Sequence, residues 1–125
     1  MNKTDKNEAE LLLREWQRRL NLGDWAIRIE PDCLPDDMQL ENIAGEAEWV
    51  EVNRSAVIRI INPELYGERI IPFDFEKTLV HELLHLKFCL LESDDELRNR
   101  VVHMLIEDMA RALVITKREA GETGG

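Results

Sequence analysis

The sequence predicts an α+β fold: an N-terminal helix, a small three-stranded and mostly antiparallel sheet, then two C-terminal helices. Two changes of period predict it. Apolar residues recur at helical spacing before Gly23, alternate with polar ones between Asp24 and Ile61, and return to helical spacing after Asp74. The expected organisation is one domain over residues 1–120 with a flexible tail at 121–125.

Each element has its own signals. Asp5 and Glu8 resemble a capping box with Asp at the cap, and "EAELLLREWQRRLNL" sets Leu12, Leu13, Trp16 and Leu20 on one face. Gly23 is expected to end that helix. In "DWAIRIE", Trp25, Ile27 and Ile29 alternate with Ala26, Arg28 and Glu30, the pattern of a half-buried strand. "PDCLPDDMQLEN" reads as a surface connection. "AGEAEWVEV" and "SAVIRII" form an expected antiparallel hairpin turning at Asn53 and Arg54, with Ala56, Ile58 and Ile60 on one side of the second strand. "NPELYGERIIPF" is punctuated by Pro and Gly and predicts an irregular loop.

Beyond Asp74, "FEKTLVHELLHLKFCLL" is apolar on nearly every face except the one bearing His81 and His85, so it predicts a buried central helix. "SDDE", from Ser93 to Glu96, reads as a second capping box. The helix it starts is expected to end on its basic residues, leaving "AGETGG" frayed. Trp16, Trp25 and Trp49 are expected in the core or at its rim.

Composition narrows the function classes. With 26 acidic against 16 basic residues the net charge is −10, which repels phosphate backbones and argues against nucleic acid or an anionic membrane as the main partner. The start "MNKTDKNEAE" is polar, so no secretory signal and no membrane span is expected. Cys33 and Cys89 do not make a disulfide framework; a cytoplasmic protein with reduced thiols is the expectation.

"HELLH" carries the chemistry. His81 and His85 stand four apart, so on a helix both imidazoles leave one face a turn apart and can reach a single Zn²⁺ at about 2.0–2.1 Å. Glu82 lies about 100° round the helix from His81, where it can flank the metal without ligating it and take a proton from an activated water. The plainer alternative is a leucine-rich core helix that happens to hold two histidines. The third and last histidine of the chain, His103, falls on the next helix, with Glu107 four residues further along the same face. Two sequential helices joined by a short turn pack antiparallel, which lets His103 face the first pair. Cys89 is four beyond His85 but is expected as a small buried residue.

"HELLH" followed by "HMLIEDMARA" resembles the zincin metallopeptidases, particularly the small, minimal-domain bacterial and phage members of the glutamate type. The resemblance implies a zinc-dependent peptidase with His81 and His85 as ligands, Glu82 as general base, a third ligand on the following helix and a supporting acid four residues later. His103 takes the ligand place and Glu107 the supporting place, although this family type carries Glu where His103 stands. The shifted register, with Glu107 as ligand and His103 as its neighbour, stays open. "HExxHxxGxxH" relatives do not fit, because Phe88 and Leu91 occupy the later positions. The family also implies an edge strand that pairs with an extended peptide substrate, for which "SAVIRII" is the expected segment. It further implies a group that stabilises the oxyanion, for which Tyr66 and Arg59 are candidates. Two other readings remain at this point. One is a non-catalytic zinc domain whose fourth position is closed by Cys89 or Glu107. The other is a metal-free acidic interaction module.

Overall fold

The computed structural model describes residues 5–39, 43–67, 70–91 and 94–124. Helix α1 spans Lys6–Arg19, and the Asp5 carboxylate caps it by accepting the Asn7 N–H at 2.7 Å. Its buried face is Ala9, Leu13, Trp16 and Gln17. Asn21, not Gly23, turns the chain at the helix end. Its φ of 58° is the left-handed conformation that Asn tolerates, and the Leu22 N–H then bonds back to the Gln17 carbonyl at 2.7 Å. The buried Gln17 amide donates to the Leu22 and Trp25 carbonyls at 3.1 and 2.9 Å, which ties this turn to the strand that follows.

Strands β1 (Ala26–Cys33), β2 (Gly45–Val50) and β3 (Ser55–Ile61) form one sheet in the order β1-β3-β2. The expected β2–β3 hairpin is present and antiparallel, with Trp49 opposite Ala56 and Ala47 opposite Ile58. β1 lies parallel to β3, pairing Ile27 with Ala56 and Ile29 with Ile58, so the sheet is mixed. "SAVIRII" is therefore the middle strand, and both its edges are spent on ladders. That overturns its expected role as the edge offered to a peptide. The edges are β1 and β2, because the connection after β1 carries the chain one strand position away and β3 fills the space between.

One face of the sheet presents Ile27, Ile29, Ala56, Ile58 and Ile60, all buried, to the helices. The other face carries Arg28, Glu30, Glu46, Glu48 and Arg59, joined by ion pairs. A smaller cluster of Cys33, Met38 and Ile61 closes one end, so the connection after β1 is partly inside, with a 3-10 turn at Pro35–Asp37. Pro63–Tyr66 forms a one-turn helix, α2, capped by Asn62, where an irregular loop is expected from the sequence.

Helix α3 (Phe75–Lys87) is the buried central helix. Asp74 caps it, and Leu79, Val80, Leu83, Leu84 and Leu86 lose nearly all their exposure. Helix α4 (Glu96–Gly124) packs on it through Ile106, Ala110 and Val114. The Asp95 carboxylate caps α4 at the Leu97 and Arg98 N–H groups. Ser93, the expected cap, lies outside the described residues. α4 does not stop at its basic residues but continues to Gly124. Lys117 and Arg118 are engaged sideways instead: Lys117 bridges Glu15 and Glu76, Glu76 accepts from the Trp16 indole at 2.7 Å, and Arg118 grips Asp74 through two bonds. No helix among the described residues is long and apolar enough to cross a membrane.

Gly45 sets the separation of β2 from α3. A Cβ there would stand 2.7 Å from Thr78 Cγ2 and 3.3 Å from the Arg59 carbonyl oxygen. Gly45→Ala is expected to destabilise the fold by about 1–3 kcal/mol, the usual cost of overpacking. Urea unfolding would show it as a lower midpoint at unchanged slope. Adding Thr78→Ser, which deletes the clashing methyl, should recover most of the loss; no recovery would place the strain elsewhere.

Candidate metal centre

α3 projects Lys77, His81 and His85 from one face because the three are spaced at i, i+4 and i+8. α4 crosses that face and delivers His103, so residues 18 positions apart in the chain meet. The three ring centroids lie 4.9–5.3 Å apart, and one ligating atom from each ring falls within 4.8 Å of the others. His81 Nε2 and His85 Nε2 are 3.3 Å apart. Two nitrogens bound tetrahedrally to one Zn²⁺ at 2.0–2.1 Å are separated by about 3.3–3.4 Å, so this pair already has the required spacing. The three histidines thus form a donor set able to hold a metal ion.

The fourth polar partner is Glu107. Its Oε1 accepts from His81 Nδ1 at 2.8 Å, and its Oε2 accepts from Lys77 Nζ at 3.1 Å. That bond puts the proton of His81 on Nδ1 and leaves the Nε2 lone pair facing the other two rings. Burial pushes the Glu107 carboxyl upward, but the bonds from His81 and Lys77 outweigh it and hold it below the usual range. Glu107 is thus an ionised support for His81, with both oxygens occupied. Lys77 was not singled out from sequence, although its place four residues before His81 was the available signal.

Burial favours the neutral form of His81 and His85. Burial lowers the His85 pKa to about 4, helped by neighbouring His81 and His103. Burial also lowers that of His81, although Glu107 pulls the other way. Neutral imidazoles are what a divalent cation needs as ligands. Glu82 is 8% exposed, and burial, with Glu46 adding like charge, raises its pKa to about 8. It lies beside β2, where a Cβ at Gly45 would stand at ordinary contact distance, 3.5 Å, from Glu82 Cγ.

These groups line an open cavity of about 520 Å³, with Lys77, His81, Glu82, His85, His103 and Glu107 on the helical side and Gly45, Ala47 and Trp49 of β2 opposite. Tyr66 and Ile71 are at the same cavity. Tyr66 packs at a tilt against Phe73, and its hydroxyl donates to the Ile71 carbonyl at 3.4 Å. Arg59 is turned to the far face of the sheet, held by Glu30, Glu46 and Glu48, so it does not serve as an oxyanion group. Cys89 is buried in the hydrophobic core and stands outside the histidine cluster. Compared with known proteins, the chain matches no family model, no curated protein and no solved structure.

Proposed function

We propose that His81, His85 and His103 hold Zn²⁺ and that the site hydrolyses peptide bonds with Glu82 as general base. The observation that carries this is the 3.3 Å spacing of two imidazole Nε2 atoms, with a third histidine beside them, in an open cavity that also holds a buried carboxyl. Zinc in such a site supplies Lewis acidity toward a carbonyl and lowers the pKa of a water. Glu82 then accepts a proton from the attacking water and passes it to the departing amine nitrogen. Of the two oxyanion candidates from the sequence, Tyr66 is the one that lines the cavity.

The substrate class follows from the strand. β2 is an edge strand along the cavity, so an extended peptide can add to it by main-chain hydrogen bonds while its side chains lie over Ala47 and Trp49. On this reading the enzyme is a zincin-type peptidase of the cytoplasm acting on unfolded or extended chains. The state of Glu107 favours catalysis over a closed structural site, because both its oxygens are engaged away from a fourth ligand position.

Two measurements test the reading. Protein purified without added metal should carry close to one equivalent of zinc and cleave an unstructured protein, losing that activity to a chelator and regaining it with Zn²⁺. Metal well below one equivalent after zinc addition and dialysis would refute it. Among variants, His103→Ala should release the metal, whereas Glu107→Ala should weaken binding by about 10–100-fold, the usual effect of removing a ligand's hydrogen-bond partner. The reverse order would make Glu107 the ligand.

A further inference from the structure

α4 is apolar on two faces. Ile106, Ala110 and Val114 point into the core, while Leu97, Val101, Met104, Leu105, Ala112 and Ile115 fall on the opposite side of the helix and are exposed, Leu97 at 67% and Met104 at 60%. Apolar residues scattered over a surface need no explanation, but a stripe along one face of a 29-residue helix does. Asp108 and Arg111 sit in the middle of this stripe, paired with each other at 3.0 Å with side chains 71% and 52% exposed.

We propose that this face pairs with the same face of a second copy of the chain, the two α4 helices running antiparallel and crossing at Asp108 and Arg111. The order of residues selects this partner. In that register Asp108 of each copy meets Arg111 of the other, closing a ring of four alternating charges on the two-fold axis. Met104 then packs on Ile115 of the partner on both sides of the ring. A parallel arrangement would set Asp108 against Asp108. Self-complementarity of this kind is what an interface between identical copies requires. His103 and Glu107 project toward α3, away from the stripe, so pairing leaves the histidine cavity open on each copy.

The full chain at about 100 μM, a concentration that populates micromolar complexes, should sediment at twice the 14.6 kDa chain mass. Met104→Lys should weaken association at least about tenfold while leaving the helical circular-dichroism signal intact. Asp108→Arg and Arg111→Asp should each do the same, since each sets like charges across the axis. The double variant Asp108→Arg/Arg111→Asp should restore the dimer, because the ring of alternating charge re-forms with its signs exchanged. A monomer at every concentration, a dimer indifferent to Met104→Lys, or a double variant that stays monomeric would each overturn the proposal.

Discussion

Glu82→Gln is expected to cut peptide hydrolysis by about 10²–10⁴-fold while the protein keeps its full complement of zinc. The substitution preserves shape and removes only the ability to accept a proton. Glu82 is not among the three residues whose ligating atoms cluster, so metal content should not change. Its carboxyl is buried and lines the cavity beside the three histidines. Turnover by the variant within a few-fold of wild type, measured on the same unstructured substrate, would remove Glu82 from the mechanism. Loss of zinc together with activity would instead make it part of the metal's support.

The second large effect is on stability with the metal removed. Glu82 titrates at about 8 in the fold against an ordinary 4.5, because burial and the nearby Glu46 penalise its charge. The folded state therefore holds this proton more tightly than the unfolded state. Its contribution is complete below pH 4.5 and is lost as pH rises to about 8, on the order of 5 kcal/mol in all. His85 behaves in the opposite sense. Its pKa of about 4 lies below the ordinary 6.5, because burial and the other two histidines penalise its charge. Its contribution is present above pH 6.5 and fades as pH falls through 4, by about 3 kcal/mol. Chelator-treated protein should accordingly show its highest Tm between about pH 5 and 6.5 and a steep decline from there to about pH 8, levelling beyond it. Glu82→Gln should flatten the alkaline limb, so that at pH 9 the metal-free variant outlasts the wild type. A metal-free Tm that stays level from pH 6 to 9 would show that Glu82 is not buried as described.

Much of the fold is legible in local pattern. The α1 stripe, the β2–β3 hairpin and the Asp74 cap of α3 each rest on residues close in the chain, where period and capping chemistry act directly. Ends and edges are harder. Gly23 looked like the terminator of α1, but Asn21 reaches the left-handed turn first. The basic residues of α4 looked like its end. In the fold they bind Glu15, Glu76 and Asp74 across the helices, and α4 runs on. Which strand forms the edge of the sheet was not legible at all, because alternation in "SAVIRII" is the same for a central strand as for an edge strand.

The histidine spacing alone determined that His81 and His85 share a helix face with Glu82 to one side, since a helix allows no other arrangement of residues four apart. What only the tertiary structure decided is long-range. It placed His103 on the same point and handed Glu107 to His81 and Lys77 as a supporting acid. It also set β2 in place of β3 beside the cavity and turned Arg59 away from it. Each depends on how close two separate elements approach and in what register. That is fixed by packing at places such as Gly45 against Thr78, which no local pattern encodes.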